Sequence, residues 1–362
     1  MKKNLTISLT VGIILSAAAL YLAFRNVPIL ELIDYLASIN YLWVIPATFL
    51  IIFSFVVRVV RWQIILASSQ RVSFWRAFHP LMIGFMINCI LPGRLGEVAR
   101  PMILSKRDNF PVSTGLATVA AERVFDIALL IILFAVVLAT VKIRPDLTMT
   151  FGKYELNRQT LETIGIGMLQ ICLVLLAGIV LVTIEKTRSI INRLIHRIPH
   201  VLFFIGSTGK ETFKEKICIP LVHIVDNFAQ GLSMTKDPGK ILTCFVLSVV
   251  IWGTAALSYY VMSFGSPGIE LTFLEMTAVL VIICFFIALP SVPGFWGVWE
   301  AGGVFAMSIF DVAVKDAAGF TLASHAIQMI PVILVGFGSA VVTGIKIRNI
   351  ADNGEAGYNT IN

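Results

Sequence analysis

Charge is scarce in this 362-residue chain: Asp, Glu, Lys and Arg make up 14% of it against 57% hydrophobic residues. With a mean hydropathy of +0.89, that balance excludes a soluble globular domain. Cysteine is also sparse. Cys89, Cys172, Cys218, Cys244 and Cys284 show no paired spacing and most fall in apolar segments, which excludes a disulfide or zinc framework and leaves small apolar fillers. His196, His200 and His223 lack metal-ligand spacing, and His79 and His325 stand alone, so no metal or other cofactor is expected. No GxxxxGK[ST] loop is present, which removes the usual nucleotide-binding route to energy coupling. The absence of a DxD pair, or of a His beside a carboxylate, counts against a metal-assisted transferase.

What the chain has in abundance is apolar runs long enough to cross about 30 Å of hydrocarbon, which takes roughly 20 helical residues. The expected fold is an all-α polytopic membrane protein with about six full spans and two broken or re-entrant helical hairpins. The spans are Leu5 to Phe24, Tyr41 to Leu66, a helix capped by Ser113 or Thr114 and running through Val141, Thr163 to Ile184, Lys240 to Phe264, and Ala317 to Thr343. Met1-Lys2-Lys3 and the run Ser16-Ala17-Ala18-Ala19 resemble a signal peptide, yet the apolar stretch is long enough to span, so an uncleaved first helix is expected. Residues 1–345 read as one transmembrane domain. It includes a cytoplasmic amphipathic connection at 185–239, and a polar cytoplasmic tail follows at 346–362. In that connection Ile190, Ile191, Leu194, Ile195 and Ile198 share one helical face while Arg188, Arg193 and Arg197 share another, the pattern of a basic helix lying on a membrane. Lys142 to Glu162 reads as a polar external loop.

A net charge of +7 does not indicate nucleic acid, because the cations flank apolar runs. Lys2, Lys3, Arg58, Arg61, Arg71, Arg76, Lys106, Arg107, the stretch from Lys186 to Lys240, Lys346 and Arg348 collect on one side. Arg25, Lys142, Arg144, Lys153, Arg158 and Lys315 lie on the other. The positive-inside rule then puts both termini in the cytoplasm of a multi-pass protein of the cell membrane.

Two stretches interrupt this pattern. Leu91-Pro92-Gly93-Arg94-Leu95-Gly96-Glu97, continuing to Arg100, puts helix breakers and charges between Phe78–Leu91 and Leu95–Leu104, apolar halves too short to cross alone. Leu289 to Glu300 does the same after Leu271–Leu289, with Pro293, Gly294 and Gly297 at the spacing of Pro92, Gly93 and Gly96, and with Glu300 three residues past its glycine where Glu97 follows at once. Corresponding breaks in opposite orientation would make an inverted repeat, a pointer to a transporter site near the midplane. Glu122, Arg123 and Asp126 lie near the middle of their span, Glu122 and Asp126 on one face and Arg123 about 100° away. The candidate substrate-binding residues are therefore Arg94, Glu97, Arg100, Glu122, Arg123, Asp126 and Glu300. The carboxylates of the third span serve equally well as a bundle lock. Arg58 and Arg61 read first as snorkelling cations at a helix end, and second as phosphate contacts.

Three blocks, Leu91 to Arg100 with its PGRLGE core, Ala121-Glu122-Arg123-Val124-Phe125-Asp126, and Leu289 to Glu300, together resemble the membrane domain of the lysylphosphatidylglycerol synthase and flippase family, also described as flippase-like or UPF0104 proteins. Arg58 to Trp62 fits the family's basic end of the second helix. The resemblance covers nearly the whole chain and implies a cytoplasmic-membrane protein that moves lipids or lipid-linked headgroups between leaflets. This chain departs from the family's aminoacylating members in having no soluble transferase segment after its last apolar run, which points away from synthesis of a lysyl lipid. A transporter, not an enzyme, is expected from the missing DxD and the lone histidines.

The expected function is a flippase moving a phospholipid or lipid-linked headgroup through a charged midplane cavity. The alternatives are a lipid-modifying enzyme of the glycosyl or phosphoryl transferase kind, or a small-solute secondary transporter. The expected partners are membrane lipids with anionic or lipid-linked headgroups, with a homo-oligomer or a partner enzyme left open and nucleic acid excluded.

Overall fold

The computed structural model describes residues 13–14, 16–21, 23–25, 27–91, 94–108, 110–140, 148–151, 154–157, 184–201, 211, 213–222, 225–226, 237–288 and 292–345, with scattered helical positions between 159 and 181. Pro92, Gly93, the tail beyond Ile345 and about half of the expected spans at 5–24 and 163–184 lie outside the described residues. What is described is an all-helical membrane protein with a single small β-hairpin.

The helices are α1 (Ile29–Ser38), α2 (Val44–Leu66, led by a 3-10 turn at Tyr41–Trp43), α3 (Phe74–Ile90), α4 (Gly96–Asp108), α5 (Val112–Thr140), α6 (Glu185–Val201), α7 (Pro238–Ser263), α8 (Phe273–Phe286), α9 (Val298–Ser308) and α10 (Val314–Thr343). Among the described residues four stretches are long and apolar enough to cross a membrane: Tyr41–Leu66, Val112–Thr140, Pro238–Ser263 and Val314–Thr343. Their hydrocarbon is worn outside. Phe49, Ile132, Val136, Leu242, Val246, Leu334, Phe337 and Val342 are all exposed, an arrangement that costs free energy in water and none in lipid.

Local chemistry accounts for the helix boundaries. Asp237 caps α7 by accepting from the backbone N–H groups of Gly239 (3.0 Å) and Lys240 (3.3 Å), with Pro238 at the first helical position. Thr272 and Glu275 form a reciprocal capping box at the start of α8, and Gly344, at φ 66°, ends α10 in a left-handed cap. Helix α5 is already helical at Val112, one residue ahead of the expected Ser113 cap. The expected external loop contains the antiparallel strands β1 (Thr148–Phe151) and β2 (Tyr154–Asn157), whose Thr, Phe and Tyr residues suit a pleated ribbon.

The order span, broken hairpin, span occurs twice: α2, α3/α4, α5 and then α7, α8/α9, α10. The two sets interlock. α2 packs along α7, α3 along α10, α5 against both α4 and α8, and α9 against α10. One core gathers Trp62, Leu66, Leu81, Met82, Leu104 and Phe110 from the first set with Val332 of α10. A larger one gathers Met276, Ile283, Met307 and Phe320 with Tyr35 of α1 and Ala47 of α2. Close approach within the first hairpin depends on Gly84 and Gly96. A Cβ at Gly96 would run into the Gly84 carbonyl oxygen, and one at Gly84 into the Arg100 stem, so the absent side chains let Arg100 pass across α3.

Candidate functional site

Arg61 of α2, Arg100 of α4 and Glu122 and Asp126 of α5 meet in the bundle interior, and none is more than 3% exposed. Glu122 and Asp126 are one turn apart and present both carboxylates to the same neighbour. Arg61 takes both: Nη1 lies 2.7 Å from Asp126 Oδ1 and Nη2 lies 3.8 Å from Glu122 Oε1. Helix α7 completes this corner. Arg61 Nη1 donates to Ser248 Oγ at 2.7 Å, and Trp252 Nε1 donates to Asp126 Oδ1 at 3.2 Å. Arg100 Nη1 lies 2.8 Å from Glu122 Oε2. Its guanidinium carbon sits 4.2 Å above the Trp62 ring, which is itself fixed by a 3.0 Å bond from Nε1 to Thr118 Oγ1. Such pairing is what allows ions to remain at membrane depth.

Toward its edge the cluster loosens. Arg123 is 3.3 Å from Asp126 and 3.9 Å from Glu97, and the Arg123 and Glu97 side chains keep 32% and 28% of their exposure. Arg58, one turn before Arg61, lies under the Phe85, Phe55 and Trp252 rings at 5.7, 5.8 and 6.0 Å. Among the described residues it has no carboxylate within salt-bridge distance. Four arginines thus face three carboxylates, leaving one positive charge over when all are ionised.

Hydrogen-bond donors are also in surplus. Nε and Nη2 of Arg61, Nε and Nη2 of Arg100, and Nε of Arg123 are buried without a hydrogen-bond partner. Glu122 Oε2 and Asp126 Oδ2 sit beside arginine nitrogens without the alignment of a hydrogen bond. A buried polar group left unpaired is costly, and this cluster holds several of them at once.

The second break is built differently. Gly294, Phe295 and Gly297 take φ of 71°, 62° and 89°, and Glu300 Oε2 accepts the Gly297 N–H at 2.7 Å, capping α9. Glu300 Oε1 lies 2.6 Å from His325 Nδ1, and His325 Nε2 lies 2.9 Å from the Gly294 carbonyl. Because a carbonyl only accepts, Nε2 carries a proton, and one further proton lies between Nδ1 and Oε1. The pair is neutral whichever atom holds that proton. Trp299 stacks on His325 at 4.3 Å, Trp296 lies at 4.4 Å, and both ionisable side chains are fully buried.

Arg94 joins the two breaks. At φ 54° it precedes the first turn of α4, donates Nη2 to the Ile287 carbonyl at the end of α8 (3.1 Å) and lies 5.7 Å from the Phe295 ring.

The seven residues singled out by sequence therefore divide. Glu97, Arg100, Glu122, Arg123 and Asp126 come together. Arg94, outside helix α4, does not share a face with Glu97 and Arg100, and it bridges the breaks. Glu300 contacts His325 and Gly297 rather than the arginines. His325 does not stand alone, because chain folding brings α9 beside α10. Arg61 does not snorkel: it sits five residues from the end of α2, about 7.5 Å, and packing of α5 and α7 against α2 seals it at 0% exposure. Sequence reasoning named Trp62 only as the end of the Arg58 to Trp62 block, without a role, and it missed Ser248 and Trp252. The signal that could have found the last two is their i, i+4 spacing, the same as that of Glu122 and Asp126. Among the described residues no group of His, Cys, Asp or Glu could hold a metal ion.

Spans wrapped around two broken hairpins, with a buried ionic cluster beside them, define a polytopic helical membrane protein. The chain belongs to the lysylphosphatidylglycerol synthase TM region family, which it matches over residues 9–336. It is similar to the glycosyltransferase AglD of Haloferax volcanii, 22% identical over 96% of this chain and 56% of that protein. It is also similar to the UPF0104 membrane protein MJ1078 of Methanocaldococcus jannaschii, 24% identical over 73% of this chain and 95% of that protein. The chain thus spans little more than half the length of the first of these relatives. No solved structure matches it.

Proposed function

We propose that this protein moves a phospholipid or lipid-linked headgroup between the leaflets of the cell membrane, and that it acts as a transporter, not an enzyme. The observation that carries this reading is the sealed cluster of Arg61, Arg100, Glu122 and Asp126, which loosens outward at Arg123 and Glu97. A lipid head needs polar partners through the bilayer while its tails stay in hydrocarbon, and surplus N–H donors suit an oxygen-rich head. The head meets the five clustered residues and Arg61. Arg94 and Glu300 act from the breaks, which move as the site opens alternately to each side. Both termini and the 185–239 connection face the cytoplasm, residues 1–345 form the transport domain, and 346–362 is a tail. The partners are membrane lipids, with a homo-oligomer or a partner enzyme open. The drive comes from an ion gradient, a partner or the lipid gradient itself.

A second reading is favoured by the name of the haloarchaeal relative, a glycosyltransferase: the chain would hold a lipid-linked acceptor while a sugar is transferred. One assay separates the two. Purified protein in liposomes is offered labelled phospholipids and polyprenyl-phosphate sugars. Movement of an unchanged lipid supports transport, a new covalent product supports transfer, and no movement of any lipid overturns the first reading.

A further inference from the structure

Two grooves flank the lipid side of α5 and share Val124 as a common wall. The first, about 340 Å³, lies between α4 and α5 and is lined by Val98, Leu116, Ala120 and Val124 with Glu97 and Arg123 among them. The second, about 460 Å³, lies between α5 and α7 and is lined wholly by apolar residues, Phe125, Ala128, Ile241, Leu242 and Phe245 among them. A charged notch adjoining a hydrocarbon channel has the outline of an amphiphile.

The charged end is matched in sign and hydrogen-bonding character. The Glu97–Arg123 pair is stretched to 3.9 Å and its side chains keep 28% and 32% of their exposure, whereas the Arg61–Asp126 and Arg100–Glu122 pairs behind it are sealed. Behind Arg123 the charges alternate inward through Asp126, Arg61, Glu122 and Arg100, and the buried Nε of Arg123 has no partner. A phosphate accepts and never donates when fully ionised. Its charge-assisted contact with a guanidinium is stronger and shorter than the stretched pair it would replace. An uncharged oxygen acceptor makes only the weaker neutral hydrogen bond with these donors. Resting on the transport reading above, we propose that the α4–α5 groove is the lateral entrance for a phosphate-bearing lipid, with the phosphate displacing Glu97 from Arg123 and an acyl chain lying in the adjoining α5–α7 groove.

The test uses the full chain in phosphatidylcholine liposomes with phosphatidic acid carrying a photoactivatable diazirine in its acyl chain. The expected adducts concentrate on residues 116–128 and 241–245. Ala120→Trp, which fills the notch, and Arg123→Gln should each lower that labelling at least tenfold, with melting temperature checking that both variants are folded. Ala128→Trp, in the apolar groove, is the independent second variant. A diacylglycerol with the same diazirine but no phosphate should label all lipid-facing helices evenly. Even labelling by the phosphatidic acid probe, labelling undiminished in Arg123→Gln, or full competition by millimolar inorganic phosphate without acyl adducts would each overturn the proposal. Labelling as expected with no lipid moved supports the site and removes the transport reading. Wild-type movement in folded Ala120→Trp removes the entrance and leaves transport standing.

Discussion

The two breaks use buried charge in opposite ways. Around the first, charges from α2, α4 and α5 form a shared network. Arg61 serves both Glu122 and Asp126, Glu122 serves both Arg61 and Arg100, and donors are left over. At the second, Glu300 and His325 satisfy each other and two backbone groups, with both imidazole nitrogens and both carboxylate oxygens engaged. A closed, neutral pair with every atom partnered fastens α9 to α10. An open, over-donated network on three helices can exchange partners without breaking all of them. Trp299 Nε1, stacked beside that pair, is a buried donor without a partner, but the Glu300–His325 pair itself closes on its own atoms and reads as a structural clasp, whereas the spare guanidinium donors of the first break mark the place where a ligand would enter.

That contrast can be broken experimentally, most forcefully at Arg61. Arg61→Leu takes from Asp126 its 2.7 Å partner and leaves it to Arg123 at 3.3 Å, while Glu122 keeps Arg100 at 2.8 Å. The loss should be about 3–5 kcal/mol, the range for breaking a buried pair by removing one partner. Melting in detergent should fall steeply, and an unchanged melting temperature would mean the cluster is hydrated and unsealed. Next in size, Glu300→Gln should cost about 1–3 kcal/mol, since the amide keeps the shape and one acceptor but not the charge or the shared proton. Lipid movement should then follow stability. A variant with normal melting and abolished movement would overturn the clasp reading.

Glu122→Gln sharpens the comparison from the other side. Its amide oxygen can still face Arg100 while the network loses one charge, so a loss of about 1–2 kcal/mol is expected together with abolished lipid movement in liposomes. Normal movement would remove Glu122 from the mechanism. The smallest effect belongs to Glu97→Gln at the loose edge, where a partly exposed pair contributes at most about 1 kcal/mol. Melting should barely change while lipid movement changes its rate or its preference for anionic heads. A melting loss as large as that of Arg61→Leu would show that the edge is as sealed as the centre.

How much of this was legible beforehand depended on range. The breaks announce themselves because Pro and Gly inside apolar runs conflict with local helix propensity, and Glu122 and Asp126 share a face by spacing alone. Arg61 was misjudged because a cation five residues from a helix end has two fates, reaching for headgroups or being covered by neighbours. The choice belongs to α5 and α7, which lie 65 and 187 residues away at the contacts concerned. Glu300 was grouped with the arginines on the strength of a repeated Pro-Gly spacing. Its partner, 25 residues on in α10, carries no such pattern.

The sequence alone determined the class of protein, because 57% hydrophobic residues in runs of membrane length admit no other solvent, and it located the interruptions, because backbone that cannot continue a helix is a local property. Only the tertiary structure decided which charge meets which. Pairing depends on helix packing and on glycines that let Arg100 cross α3. At membrane depth an ion with a partner and an ion without one differ by several kcal/mol.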